Sequence, residues 1–408
     1  MLVIALSTVL ISSSVASDSS PKTECYLEGL LCFSIPEKRT DYKKDELLLL
    51  LAKEVPRSVY QSLLLKYGLT EKELTGVDSL KLDLVVADTH GKDPLELSKK
   101  INALYEELEA ATNNIYQYEI AEHQLLKGNK DNKESNKGNK YPKSLTGASK
   151  ALQYSKGEGV LIGMIDGPVD INHRSLKGRV EQHSLVDFNK GSVADLLHGT
   201  AVAGVLIGSN KEIGIAPGAH VFNVAAFESD KDQHFSSSSA LITQAIDLAI
   251  KKKVDVLNLS FSGGKDVLVE SMIKKALSAG ILVVAACGND SSTKPRYPAA
   301  ISDVIAVTAV DYLKKPYAKA NVGKYIDVAA PGVGVLTLGP GDRYQLSSGT
   351  SLAAANVSGS LALLLAKKKN LDRDVLSNTA VDLGEPGRDS LYGDGLINIF
   401  KAIKTVVR

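Results

Sequence analysis

The architecture is limited most by a change of pattern that sets in after residue 147. Short, almost uninterrupted apolar runs follow there: GVLIGMID (159–166), VDVLNLSFSGG (254–264), ILVVAACGN (281–289) and DVIAVTAVD (303–311). They alternate with stretches of helical length: HGTAVAGVLIGS (198–209), SSALITQAIDLAIKKK (238–253) and VLVESMIKKALSAG (267–280). A strand that is apolar on both faces has to be covered on both, which is the situation inside a parallel sheet between helix layers. Strands joined through helices cross over right-handedly. The pattern therefore predicts an α/β fold with a doubly wound, mostly parallel sheet and helices on both faces. Ligands of such sheets sit beyond the carboxyl ends of strands, where Asp166 and Asn289 fall.

The preceding part differs in texture and predicts a smaller helical or α+β region. DELLLLLAKEV (45–55) and RSVYQSLLLKYGL (57–69) read as short helices, and DSLKLDLVVAD (78–88) as a strand. From Asp93 a longer helix is expected. Asp93 suits the N-cap, Pro94 the first turn and Glu96 a capping box. Leu97, Ile101, Leu104, Leu108, Ala111, Ile115 and Tyr118 then recur at intervals of four and three, which puts them on one helical face. Between the two parts, LKGNKDNKESNKGNKYPKSLTG (126–147) is almost purely polar and too poor in apolar area to offset its ordering entropy. It reads as an exposed linker and as the place where a protease cuts first. At the start, Leu2 to Ile11 is a short apolar run, and Val15, Ala16 and Ser17 are small residues suited to a signal-peptidase cut, although no Lys or Arg precedes the run. The expected divisions are a signal peptide at 1–17, a pro-region or accessory domain at 18–125, a linker at 126–146 and the α/β domain at 147–408.

A formal net charge of +1 offers no electrostatic reason for nucleic acid or an anionic membrane surface as partner. The chain has three cysteines and no CxxC pair, which speaks against a structural zinc site. Cys25 and Cys32 suit a small disulfide loop in an oxidising compartment, with Cys287 left over as a buried packing residue. A nucleotide-binding reading fails because GEGVLIG (157–163) has the wrong glycine spacing and precedes its strand.

Four residues have to be weighed together. Asp166 ends a strand, His198 opens a helix rich in small residues, Asn289 ends another strand, and Ser351 follows Gly349-Thr350 at a helix start. Each alone is as well explained by capping or a turn. Together they are the chemical types an acyl-transfer site needs. A serine hydroxyl becomes a nucleophile when a base takes its proton, and histidine titrates in the range that allows it to be that base. A buried aspartate holds the imidazole tautomer. The Asn289 amide and the Ser351 N–H suit an oxyanion.

From about Gly147 to Ile403 the chain resembles the subtilisin-like serine proteases. HGTAVAG (198–204) matches that family's histidine motif, GTSLAAANVSG (349–359) its serine motif, IGMIDGPVDINHRSL its aspartate motif, and AACGND its oxyanion-asparagine turn. The resemblance implies Asp166, His198 and Ser351 as triad and Asn289 in the oxyanion hole. It also implies pairing of extended substrate along Leu259, Ser260, Phe261, Ser262 and Gly263. Polypeptides are the implied substrates and the N-terminal region the implied intramolecular inhibitor or chaperone of a zymogen. The expected molecule is an exported monomer. No cofactor is expected in the chemistry; structural calcium is common in the family, but the sequence assigns it no ligands. Three departures stand out: Gly167 replaces a hydroxyl residue after the aspartate and removes one hydrogen bond to it, Ala355-Asn356 replaces Pro-His, and Arg174 replaces Pro. The competing readings are a catalytically weak, subtilase-like binding or regulatory module, and a permanent binding domain built on the 93–118 helix.

Overall fold

The computed structural model describes residues 23–26, 31–34, 42–53, 55–104, 108–118, 124–125, 141–187, 193–209, 213–229 and 235–407. Residues 1–40 and 41–408 form two compact units. In the first, β1 (Thr23–Tyr26) and β2 (Leu31–Ser34) pair antiparallel with Cys25 opposite Cys32. The expected signal peptide lies outside the described residues.

The second unit opens with β3 (Tyr42–Ala52), α1 (Arg57–Tyr67), β4 (Thr70–Val77), β5 (Leu82–Asp88), α2 (Pro94–Asn102), β6 (Leu108–Tyr118) and β7 (Gln124–Leu125). Two sequence expectations are corrected here. DELLLLLAKEV is not a helix but lies in β3, between β5 and β6. Its leucines alternate between two cores: Leu47, Leu49 and Leu51 pack under the helices α1 and α2, and Leu48 faces the core shared with the α/β half. A run apolar at every position is what a strand covered on both faces requires.

The helix from Asp93 is real but short. Its cap is as expected, with the Asp93 side chain accepting from the Leu95 N–H at 2.9 Å. It ends at Asn102, whose side-chain amide bonds both the N–H and the carbonyl of Ala110, at 2.7 and 2.9 Å, and so turns the chain into β6. Leu104, placed on the apolar helical face by its spacing, is 64% exposed. Residues 112–118 (TNNIYQY) are poor helix formers and good strand formers apart from the asparagines. Pairing on both edges of β6 outweighs the helical spacing, and no helix over 93–118 exists to carry a separate binding domain.

The α/β half comprises α3 (Tyr141–Leu145), α4 (Ala148–Ala151), β8 (Leu161–Asp166), β9 (Val180–Ser184), α5 (Leu197–Ile207), β10 (His220–Ala225), β11 (Glu228–Ser229), β12 (Phe235–Ser238), α6 (Ser239–Lys252), β13 (Val256–Leu259), β14 (Ser262–Gly263), α7 (Val267–Ser278), β15 (Leu282–Ala286), β16 (Ile305–Val310), β17 (Val328–Pro331), β18 (Val335–Gly339), β19 (Arg343–Ser347), α8 (Thr350–Leu365) and α9 (Ile399–Val406). Seven of these strands form a sheet in the order β17-β16-β15-β13-β8-β10-β9, parallel at every step. The doubly wound sheet is thus as expected. Helix α8 is buried along its whole length, which is why it is built of Ala, Gly, Ser and Leu. A Cβ at Gly359 would sit 2.8 Å from that of Ile215, and one at Gly204 of α5 would meet Thr337 Oγ1 at 2.7 Å. Of the expected linker, residues 126–140 lie outside the described residues. Its last part is ordered: Tyr141 is buried and its hydroxyl bonds the backbone of Val333.

A second, antiparallel sheet draws on both halves of this unit. Its order is β11-β12-β6-β3-β5-β4, with β14 also paired to β6. Polar contacts continue the join. Asn113 Oδ1 accepts from the Ala240 N–H at the start of α6, and Asn114 Nδ2 donates to Asp266, the residue that caps α7. The expected division between residues 18–125 and 147–408 therefore does not separate two detached bodies over 41–408.

Candidate active site

Asp166 is the last residue of β8, in the middle of the parallel sheet between β10 and β13. Its Oδ1 accepts from His198 Nδ1 at 2.7 Å and from the Gly167 N–H at 2.7 Å. Its Oδ2 is buried and has no hydrogen-bond partner among the described residues, as the absence of a hydroxyl at Gly167 leads one to expect. His198 sits in the first turn of α5. That helix approaches the aspartate turn so closely that a Cβ at Gly199 would lie 2.6 Å from the Pro168 carbonyl oxygen. The glycine of the HGT triplet is required by this contact. Gln345 anchors the helix start by donating to the Leu197 carbonyl at 3.0 Å.

Ser351 lies in the first turn of α8 and is buried, as are Asp166 and His198. Its hydroxyl donates to the Ser260 carbonyl at 3.0 Å, and the Ser260 hydroxyl donates back to the Ser351 carbonyl at 3.2 Å. A buried polar chain extends from there: Asn258 Nδ2 donates to Ser260 Oγ, and Ser358 of α8 donates to Asn258 Oδ1, both at 2.9 Å. Such a fully paired network holds one arrangement of the groups it joins.

Asn289 is half-buried beyond the end of β15. Its Oδ1 accepts from the Thr350 N–H at 3.0 Å and from the Thr350 hydroxyl at 2.9 Å. A backbone N–H can only donate, so this bond fixes which end of the amide is oxygen and leaves the NH2 as the outward donor. The turn that carries Asn289 is held by Asn321, which sequence reasoning missed. Its Nδ2 donates to the Cys287 carbonyl at 2.9 Å, and its Oδ1 accepts from the N–H groups of Asp290 and Ser292. Gly288 has φ +99°, and a Cβ there would meet Asn321 Nδ2 at 2.4 Å. No local pattern marks Asn321, because its role is a contact across 34 residues.

Of the residues expected along the substrate, Leu259 lies in β13 with its backbone between β8 and β15, and Phe261 points into the core. Only Ser262 and Gly263 present a strand edge, and that edge is taken by β6. His173, the histidine of the aspartate motif, is structural: it is buried between the Ser175 N–H and the Arg343 carbonyl. Asn356, at the Pro-His departure, bonds the carbonyls of Pro331 and Leu352. Cys287 is wholly buried, and its desolvation pushes the thiol up to about 12. An acid with a raised value keeps its proton in the folded chain while the unfolded thiol ionises. Its contribution to stability is therefore present below the unfolded value and lost as pH climbs from there towards 12. Cys287 is expected to resist iodoacetamide at pH 8 in the folded protein and to react on denaturation, read by peptide mass.

The model of the Subtilase family matches residues 157–395. The chain belongs to the subtilase family of serine proteases. It is 34% identical to subtilisin DY of Bacillus licheniformis over 256 residues, which are 60% of this chain and 90% of that one. It is 33% identical to subtilisin NAT of Bacillus subtilis subsp. natto over 255 residues, 60% of this subtilase and 65% of that protein. Among solved structures, fervidolysin of Fervidobacterium pennivorans, a keratinolytic enzyme related to subtilisin, superposes with a TM-score of 0.72 at 22% identity. That match covers 89% of this subtilase and 61% of fervidolysin. It extends the similarity in fold well beyond the residues that the family model covers.

Proposed function

We propose that this subtilase is an endopeptidase that cuts polypeptides through an acyl-enzyme, and that residues 41–118 are its inhibitory pro-region. Ser351 is the nucleophile, His198 the general base and then acid, and Asp166 the orienting carboxylate. The Asn289 side chain and the Ser351 N–H stabilise the oxyanion. The hydroxyl of Ser351 carries one proton, which it shares with Ser260; for attack the side chain turns it to His198 Nε2. The oxygen then bonds the substrate carbonyl carbon, and Asp166 stabilises the imidazolium. His198 returns the proton to the leaving amine as the C–N bond breaks, and water repeats the sequence to free the acid. The positive end of α8 lies at the same place.

The observation that carries the reading is the position of β6. Residues 115–118 lie antiparallel between β12 and β14, with Gln117 opposite Ser262 and Ser238 opposite Ile115. This is strand addition of the kind by which extended peptides bind, and the next step along that edge leads to Ser260, the residue that holds the Ser351 hydroxyl. A chain keeping the same register two residues beyond Gln117 stands opposite Ser260. The first bond to be cut then lies close behind Tyr118, upstream of the 126–147 stretch that its composition had suggested.

A fluorophosphonate probe tests the nucleophile: it is expected to label the processed protein and not Ser351→Ala, and equal labelling of both would exclude Ser351. N-terminal sequencing tests the zymogen. The active form is expected to begin after Tyr118 and before Tyr141; full activity in material that keeps residues 41–118 would refute an inhibitory role. For Asn289→Ala, kcat is expected to fall by roughly 10²–10³ with little change in KM, a scale known from subtilisin's own oxyanion asparagine and not deduced from these distances. The proposal includes export, on the strength of the 1–17 pattern, and action as a monomer. Among the described residues no group of three or more His, Cys, Asp and Glu side chains suits a metal ion.

A further inference from the structure

An oxyanion donor has to point at its target before the reaction begins, since turning it in would cost part of what it supplies. Asn289 stands beyond the end of β15, where neither strand nor helix fixes it. Thr350 orients its amide, but the backbone that carries the amide has to be held as well. One buried side chain does this, and its two ends do different work. Asn321 Nδ2 donates to the Cys287 carbonyl, two residues before Asn289, at 2.9 Å. Asn321 Oδ1 accepts from the Asp290 N–H, one residue after Asn289, at 3.2 Å and from the Ser292 N–H at 2.8 Å. Asn289 is thus bracketed by a single amide. The backbone repeats the grip around it: the Asn321 N–H donates to the Gly288 carbonyl at 3.0 Å and the Val322 N–H to the Ser292 carbonyl at 2.9 Å. The far end of the loop is tied to the strand edge, with Gly263 and Tyr297 exchanging backbone bonds of 2.8 and 3.2 Å. Slack introduced at residue 321 therefore falls on 287–292, the part that holds Asn289.

We propose that Asn321 is a positioning residue of the oxyanion hole, setting the rate of acyl transfer through Asn289 without touching the substrate; this rests on the reading of Asn289 as oxyanion donor. Truncating Asn321 removes the three side-chain bonds and leaves the backbone bonds between the two segments, so the loop loosens without detaching. The amide of Asn289 then has to be aligned anew in each turnover. A misplacement of about 1 Å is enough to cost roughly 10²-fold in rate. The loss at residue 321 should therefore approach, and not exceed, the loss of the Asn289 amide itself. Ground-state binding is affected little, because an extended substrate is held by strand pairing and an oxyanion exists only once the hydroxyl has attacked.

The test compares four forms of the processed protein on one chromogenic peptide: wild type, Asn321→Ala, Asn289→Ala and the double variant. Active sites are counted by fluorophosphonate labelling run to completion, so that misfolded material does not enter kcat. In Asn321→Ala, kcat is expected to fall by roughly ten- to a hundred-fold, with KM changed by less than about twofold. In the Asn289→Ala background the same substitution is expected to change kcat by less than about twofold, because the amide it positions is gone. The acid limb of the kcat–pH profile, which belongs to His198, should stay where it is. Asn321→Ser, which keeps a hydroxyl in the buried space, carries the same expectations and replaces Asn321→Ala if that variant does not fold. Equal losses of kcat in both backgrounds, or a displaced acid limb, would assign Asn321 a general part in the fold and overturn the proposal, as would an unchanged kcat in Asn321→Ala. Full kcat in Asn289→Ala would instead remove the oxyanion role of Asn289, and the inference with it.

Discussion

Replacing Ser351 by alanine is expected to stop both self-cleavage and peptide hydrolysis, with kcat lower by on the order of 10⁶, a scale established for subtilisin itself and not deduced from this geometry. The physical argument is that, in the proposed mechanism, Ser351 Oγ is the attacking hydroxyl, carried in the first turn of α8 and held by the Ser260 carbonyl. Without it no acyl-enzyme can form. Self-cleavage, followed by intact mass, is the cleaner readout, because it precedes release of β6 from β14. The serine-to-alanine change is small and the helix keeps its other bonds, so the folded state should persist. A variant that still removes residues 41–118 from itself would end the case for Ser351 as nucleophile. Adding His198→Ala to Ser351→Ala is expected to lower the rate no further, because the groups act as a unit.

The second large effect is expected at Asp166. Asp166→Ala should lower kcat by roughly 10⁴, less than the serine variant, again on the scale of subtilisin's triad. Asp166 Oδ1 is the acceptor that holds His198 Nδ1, and no charge would remain to stabilise the imidazolium. Residual turnover comes from the oxyanion donors and from strand pairing, which the substitution leaves in place. The measurement is single-turnover acylation of the processed protein by an activated ester. A loss below about tenfold would show that the aspartate only caps its turn, the role a carboxylate at a strand end often has.

The legible part of this protein was the part whose structure is set by neighbours in the chain. Four apolar runs became β8, β13, β15 and β16, three stretches between them became α5, α6 and α7, and the parallel sheet followed from their alternation. The four candidate site residues stood out for a related reason: each sits at an element end, where a polar side chain in an apolar context is conspicuous. His198 and Asp166, far apart in the chain, are in contact. Asn289 reached its place against Thr350.

Two stretches of the N-terminal region, 45–55 and 103–118, were misread because they are decided by what they pack against. Five consecutive leucines suit a buried helix as well as a strand, and only the pairing of β3 with β5 and β6 separates the two. The spacing from Leu97 to Tyr118 is helical in number, yet Asn102 ends the helix and two edge strands claim the rest. Asn321 and Thr350 were missed as positioning groups, since each acts on a partner distant in sequence. Periodicity and motif spacing thus determined the α/β half and the kinds of chemistry available to it. Tertiary structure alone decided that β6 lies between β12 and β14 and that Tyr116 stands edge-on to Phe261. Backbone pairing between segments about 145 residues apart leaves no trace in either segment's own pattern, because the hydrogen bonds of a strand edge are made by groups that every residue carries.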